Sequence, residues 1–490
     1  MKRLIAVLTP LHRYLGLVFC LIFVAWFASG LVMIYHGMPA YTPAERLARL
    51  APLDASAIRL TPVEALTHAE LGVSPQRIRL TTIGSRPVYR FQVDGEWVTV
   101  FADDGALLEA VSPQDALGIV RVAFPNQRTA AHFAQTLDRP DQWTTEVSFR
   151  VNGPLHVIAL GDGADTNVYV ASNTGDIIMK TDRTSRMWGY AGPVIHWFYF
   201  RPLRVRGELW FNIIVYGSLV GCIVSMLGLI IGLYRYSAAR QYFQGSSSTP
   251  YAGWLRWHHY AGLVFGVFTF TWVLSGMLSM EPWNLSEDNG PDGAQVAAIR
   301  GRGIDVDRFS VLPAQAFDVL TSRLAPKELE LMQFMGEPFY RAQDASGRTL
   351  LVSADHGPEL KDAFAQSELL QAANAAMPAF AETEATWLTT YDAYYYDRDA
   401  LRPLPVLRVK YSDPQRSWLY LTARDGALVQ RETASGRPWR WLYHGLHSLD
   451  FPGFYETPWL WYAVIVALCA GGLLLSLTSV IVGWKSLRRL

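Results

Sequence analysis

Leu11-His12-Arg13-Tyr14-Leu15-Gly16-Leu17-Val18-Phe19 opens the first long apolar run of the chain, and Trp257-His258-His259-Tyr260-Ala261-Gly262-Leu263-Val264-Phe265 opens the third. Laid over each other without a gap, the two runs match His12 with His258, Tyr14 with Tyr260, Trp26 with Trp272, and Ser29-Gly30 with Ser275-Gly276. A second ungapped alignment joins Trp188 to Trp439, His196 to His447, Phe200 to Phe451, Trp210 to Trp461, Gly221 to Gly472, Ser225 to Ser476 and Gly232 to Gly483. Chance does not give so many coincidences. The sequence reads as a tandem duplication, each half a span, an external domain and a second span. Both halves run in the same direction, so the pseudo-two-fold axis is expected along the membrane normal.

Four stretches, 14–35, 209–234, 255–280 and 459–484, are apolar over the roughly 20 residues that a bilayer requires. The implied organisation is a first transmembrane helix at 1–36, an external domain at 37–208, a second helix at 209–235 and a loop at 236–254. A third helix at 255–281, a second external domain at 282–458, a fourth helix at 459–484 and a tail at 485–490 complete it. Lys2, Arg3 and Arg13 precede the first span, Arg235, Arg240 and Arg256 flank the loop, and Lys485, Arg488 and Arg489 follow the fourth span. No acidic residue accompanies them, so the positive-inside rule puts both termini and the loop in the cytoplasm. The first span resembles a signal peptide in its basic start, but its length and its copy deep in the chain identify a retained helix.

Composition agrees with a membrane protein. Half the residues are hydrophobic and 18% are charged, below the roughly 25% of soluble domains, and mean hydropathy is +0.11. Lys plus Arg equals Asp plus Glu at 43 each, so no net field recommends nucleic acid as a partner. Cys20, Cys222 and Cys469 all fall in apolar runs, which offers neither a disulfide framework nor a cysteine zinc site, and no Cys-x-x-Cys-His haem attachment is present. In the external segments, strand-like runs close on Gly105, Gly175, Gly357 and Gly426 as hairpins. Residues 310–324 and 359–373 read as helical, so each external domain is expected to be α+β. The run Gly245 to Thr249 reads as a linker.

The histidines are the informative residues. His12 and His258, with His259 beside the latter, begin the first and third spans. His196 and His447, with His444 one turn before the latter, precede the second and fourth, and His36 ends the first. Neutral imidazole ligates haem iron, and helical bundles hold porphyrins between facing helices. A histidine paired with its symmetry mate presents two imidazoles to one iron. Depth forbids pairing His12 with His196, since the two rows lie on the order of 30 Å apart. The expectation is two haems, on His12 with His258 and on His196 with His447. His259, His444 and His36 are additional candidates that the repeat does not support. His68, His132, His156 and His356 lie in the external domains without metal-ligand spacing and read as surface or core residues. Trp26 and Trp272, about 21 Å along the helix from the first row, read as core or as an electron path between the haems. Gly16, Gly30, Gly262 and Gly276 read as sites of close helix approach.

With these residues in view, the chain resembles the PepSY-associated transmembrane proteins, whose members include inner-membrane ferric-siderophore reductases. The resemblance rests on the two histidine motifs above, on Leu446-His447-Ser448-Leu449-Asp450-Phe451-Pro452, and on the four hairpins. It implies a bacterial inner-membrane protein with a four-helix core and two periplasmic PepSY-like domains, haem b, and electron delivery to a periplasmic iron complex such as a ferric siderophore. Ile195-His196-Trp197 departs from the Leu-His-Ser/Thr form found around His447.

Bis-histidine iron has no open position and suits electron transfer. The cytoplasmic segments are too short for a dinucleotide fold, which leaves a quinol or a redox protein as donor. Reduction is expected in a cleft between the external domains and the membrane lipid, walled by Trp188, Trp197, Tyr199, Trp439 and Trp441. Arg201, Arg204, Arg206, Arg437 and Arg440 there would attract either anionic groups or lipid headgroups. The alternative is a non-catalytic membrane sensor that binds a periplasmic protein or peptide; it leaves the four paired histidines without a task. A transporter would need ionisable residues inside the spans, and these are nearly absent.

Overall fold

A computed structural model of the chain describes residues 2–237, 248–284, 290–301 and 303–488. Arg240, Arg489 and residues 245–247 of the linker lie outside them. The described chain separates into two compact units. One comprises Met1–Met38, Ser185–Glu287 and Ser435–Leu490, the other Pro39–Thr184 and Asp288–Ala434.

The first unit is built on four helices long and apolar enough to cross a membrane: α1 (Lys2–Met33), α2 (Gly207–Arg235), α3 (Trp254–Leu278) and α4 (Pro458–Leu487). α1 packs along α4 and against α2, while α3 packs along both α2 and α4. The pair α1 and α3 therefore stand across the bundle from each other. α1 begins well before the apolar run, because nothing in Lys2 to Leu11 breaks a helix except Pro10, which it absorbs. His12 consequently lies inside a helix rather than at its start. The tightest approaches are made by Gly471 and Gly472, where an added Cβ would stand 2.1 Å from the Phe265 ring and 2.2 Å from the Phe27 ring. Gly16 has nothing within 4 Å, so the expectation of close approach there is not met.

The second unit holds fifteen named strands among the described residues. Its first-half strands are β1 (Arg77–Ile83), β2 (Arg86–Val93), β3 (Glu96–Phe101), β4 (His132–Leu137), β5 (Leu155–Ala159), β6 (Asn167–Ala171) and β7 (Ile177–Thr181). The second-half strands are β8 (Glu328–Phe334), β9 (Glu337–Gln343), β10 (Thr349–Ser353), β11 (Leu360–Lys361), β12 (Glu382–Leu388), β13 (Val406–Tyr411), β14 (Trp418–Thr422) and β15 (Leu428–Glu432). β4 to β7 and β12 to β15 form two four-stranded sheets in sequence order. The remaining strands form one seven-stranded sheet, β11-β10-β9-β8-β1-β2-β3. The turns at Gly105, Gly175, Gly357 and Gly426 all have positive φ, as the hairpin signals require. The helical expectations shorten to Pro313–Leu320 and Gln366–Ala376, the latter preceded by β11.

This sheet corrects the division into two separate external domains at 37–208 and 282–458. β1 of the first half pairs with β8 of the second, Ile78 opposite Leu331 and Leu80 opposite Leu329. The two halves share one apolar core that includes Leu80, Tyr89, Phe317, Leu331 and Tyr340. Charges lock the seam: Arg77 Nε lies 2.8 Å from Glu330 Oε1, Arg79 Nε 3.2 Å from Glu328 Oε1, and Arg46 Nη2 2.9 Å from Glu328 Oε2. The boundaries also shift, since residues 185–206 and 435–457 belong to the helical unit.

Candidate functional site: two facing histidine pairs

α1 and α3 place His12 and His258 across the bundle with ring centroids 6.4 Å apart and planes 26° apart. His196 and His447 lie on short helical segments before α2 and α4, and their centroids are 6.2 Å apart with planes 73° apart. The local backbone is the same at both members of the second pair. A π-helical turn, Tyr190–Val194 or Trp441–Gly445, comes just before the histidine, and two residues after it Phe198 or Leu449 adopts φ of 55°. A π-turn widens the helix by one residue, and a non-glycine left-handed residue costs free energy; both concentrate at functional sites.

The hydrogen bonds set the tautomer of each ring. His196 Nδ1 lies 3.2 Å from the Trp26 carbonyl and 3.1 Å from Ser29 Oγ, and that hydroxyl donates to the same carbonyl at 3.1 Å. A carbonyl only accepts, and the serine hydrogen is already used, so Nδ1 must carry the proton and donate. His447 repeats this with the Trp272 carbonyl and Ser275 Oγ, both at 3.1 Å. His12 Nδ1 donates to the Val224 carbonyl at 3.0 Å. His258 Nδ1 lies 3.2 Å from Thr478 Oγ1 and 3.3 Å from Ser479 Oγ, whose hydrogens both go to the Leu475 carbonyl. Each of the four rings therefore keeps the Nε2 lone pair, and among the described residues none of those lone pairs has a hydrogen-bond partner. Burial, with His447 alongside, pushes His196 down to about 4, and burial lowers His447 as well; neutral imidazole is the ligating form.

The spacing has a chemical meaning. A metal-ligating imidazole nitrogen lies about 2 Å from the ion, so two imidazoles sharing one metal would have ring centres roughly 6 Å apart, the spacing that both pairs show. Two nitrogens do not complete a coordination sphere. Among the described residues no group of three or more His, Cys, Asp or Glu donors gathers to hold a bare ion. The residues that would hold a tetrapyrrole cofactor, which brings nitrogen donors of its own, are His12 with His258 and His196 with His447. Room beside the rings depends on glycine: a Cβ on Gly228 would stand 2.8 Å from His12 Cε1, and one on Gly276 would stand 3.3 Å from His447 Cε1. Trp272 Nε1 is buried with no partner among the described residues.

The other candidates fall elsewhere. His259 is buried, with Nε2 donating to the Gly232 carbonyl at 2.8 Å and Nδ1 2.7 Å from Thr249 Oγ1; both nitrogens are used, so it ties the loop to α2 instead of ligating. His444 is exposed, 3.9 Å from Asp450 and against the Tyr443 ring. His36 is exposed and stacks on Trp188 at 4.7 Å. His156 of the second unit spends both nitrogens, on Thr136 and the Val111 carbonyl. Trp26 and Trp272 lie at the level of the second pair rather than midway, since their carbonyls anchor it; their rings contact Phe23 and Phe27 respectively.

Arg204 is sandwiched at 4.9 Å over Tyr199 and 4.4 Å over Trp210, and Trp197 lies 5.2 Å from Tyr199. Arg440 covers Trp441 at 5.1 Å and donates to the Asp450 carbonyl. Both arginines are held by these contacts. Arg201 and Arg206 are exposed, and Trp439 and Arg437 are half-buried. Sequence reasoning missed Ser29, Ser275, Thr478 and Ser479 as partners of the rings; for Ser29 and Ser275 the signal was present, because they match in register.

In comparison with protein families, residues 9–306 match the PepSY-associated TM region. The match takes in His12, His196 and His258 and ends before His447. None of the curated proteins compared matches the chain.

Proposed function

The chain belongs to the PepSY-associated TM region family, and from that premise we propose a haem-containing inner-membrane oxidoreductase that passes electrons across the membrane to a periplasmic ferric complex, a ferric siderophore being the class in mind. The observation that carries this reading is the set of four histidines that face in two pairs, at 6.4 and 6.2 Å, each with Nδ1 tied and Nε2 without a partner among the described residues. When bound, haem b supplies a one-electron carrier at each pair. The protein's part is to hold the imidazoles neutral, to orient them through the Trp26, Trp272 and Val224 carbonyls and the hydroxyls of Ser29, Ser275, Thr478 and Ser479, and to keep water out of the bundle.

The tandem duplication belongs to the same reading. Beyond the histidine anchors, Tyr89 donates to the Leu60 carbonyl as Tyr340 does to Val311, and Trp210 Nε1 donates to the Trp197 carbonyl as Trp461 does to Ser448. The basic flanks support cytoplasmic termini and a periplasmic second unit. The second histidine pair then stands at the periplasmic end, where exposed Trp197, Phe200 and Arg201 offer a surface to an iron complex. A quinol or a redox protein would deliver electrons to the first pair. The visible spectrum of the purified full-length protein, with its haem-to-protein ratio, tests the reading. Two haems per chain are expected; colourless protein from haem-replete cells would favour a non-catalytic sensor.

A further inference from the structure

We propose that Ser29 and Ser275 are positioning residues that hold His196 and His447 crossed, making the iron there electronically unlike the one between His12 and His258. The proposal rests on the haem reading above. The two pairs are alike in spacing but not in orientation, with 73° between ring planes at one and 26° at the other. Each ring plane contains its own Nε2–metal bond, so the angle between the rings is carried over to the ligands. A ring held only at Nε2 can turn about that bond; a second anchor at Nδ1 fixes the rotation.

The anchors are of two kinds. His196 and His447 each donate from Nδ1 into a fork made of a tryptophan carbonyl and the serine hydroxyl three residues later on the same helix. A fork defines a direction more narrowly than one acceptor does. The fork on α1 and the fork on α3 hold their rings crossed. His12 has the single Val224 carbonyl, and only His258 has a fork, made of the Thr478 and Ser479 hydroxyls on α4 with no carbonyl in it; these leave the rings near parallel.

Orientation matters because imidazole donates π density to iron along one direction only. Two parallel rings act on the same iron d orbital, separate it from its partner and thereby stabilise the ferric state. Two crossed rings act on one orbital each and leave the pair nearly equal in energy. The crossed site therefore accepts an electron more readily, and transfer from the His12–His258 pair to the His196–His447 pair runs downhill.

The test begins with the haem-to-protein ratio of the full-length protein, which decides the haem reading by itself. Electron paramagnetic resonance of the oxidised protein then decides this proposal. The expected result is two low-spin ferric signals in equal amount, one strongly anisotropic with a single low-field feature and one rhombic. The anisotropic signal should vanish first in a reductive titration, and it should be the signal retained by His258→Ala. Replacing Ser29→Ala together with Ser275→Ala, at unchanged haem content, should turn the anisotropic signal rhombic, while Ser29→Thr with Ser275→Thr should preserve it. If the double alanine variant loses haem, each single variant is read in the same way. Two haems with the same rhombic signal in the unaltered protein would overturn the crossed geometry and leave the haem reading standing. An alanine variant with the unaltered spectrum would overturn the assignment to the serines.

Discussion

At His258 Nδ1 lies against the Thr478 and Ser479 hydroxyls, and the ring faces that of His12 with centroids 6.4 Å apart. On the proposed function, His258→Ala would remove one of the two imidazoles that hold a haem at that pair and would leave the other pair untouched. The expected outcome is loss of about half the haem, with the remaining half spectrally intact, measured as haem per chain; a variant that kept both would break the pairing. Space beside the rings is as specific as the ligands. Gly228→Val puts a branched side chain where even a Cβ comes within 2.8 Å of His12 Cε1, so the same half of the haem should be lost although every ligand remains. Gly16→Ala, with nothing within 4 Å, serves as the silent control. The histidines were legible as a set because they repeat. The repeat set His258 apart from its neighbour His259, and the structure supplies the physical reason, a hydrogen bond from His259 to Gly232 on another helix.

Among the elements, the contact between α3 and α4 is closest at Gly471, where a Cβ would meet the Phe265 ring at 2.1 Å. Aromatic rings filling glycine notches are how these two helices approach without a hydrophobic driving force between them. Gly471→Val should force them apart at a cost of about 1–3 kcal/mol. Thermal unfolding in detergent should show the lowered stability. Because α4 carries the anchors of His258 and α3 those of His447, both haem signals should broaden, unlike the one-sided loss at Gly228. The π-turns at Tyr190–Val194 and Trp441–Gly445 were invisible in the sequence. No residue preference marks a π-turn as glycine marks a hairpin, and Tyr-Ala-Gly-Pro-Val and Trp-Leu-Tyr-His-Gly share no residue in register.

For the whole molecule, the seam between β1 and β8 joins halves that lie far apart in the chain, and buried charges hold it. Burial pushes the Glu330 carboxyl up, but Arg341, Arg77 and Arg79 more than reverse this and hold it at about 2. In the unfolded chain such a carboxyl titrates near about 4.3. The folded state therefore draws stability from this group above that pH and loses it as pH falls from about 4.3 toward 2. Glu330→Gln should cost about 1.5–3 kcal/mol at neutral pH and flatten the acid limb of a melting-temperature profile between pH 5 and about 2. An unchanged acid limb would show that other carboxylates govern it. On the same scale, reporter fusions after Leu490 are expected to be active only in cytoplasmic form, from Lys485 and Arg488 behind the last span.

What the sequence by itself determined is the part written in local pattern and in repetition: four apolar spans, hairpins at positive-φ glycines, and four histidines at two depths. Each is decided by a periodicity, a turn residue or an ungapped match, and none requires knowing a distant partner. What only the tertiary structure decided is every relation between segments far apart in the chain. It joined residues 77–83 to residues 328–334 through β1 and β8, because each strand would otherwise be the unpaired edge of its own run of strands, and apolar residues on both sides of the seam bury it. It gave the histidines their tautomers and plane angles, because those depend on which carbonyl or hydroxyl a neighbouring helix presents. It laid Arg204 and Arg440 over aromatic faces, because a cation's nearest ring is set by packing and not by its place in the chain.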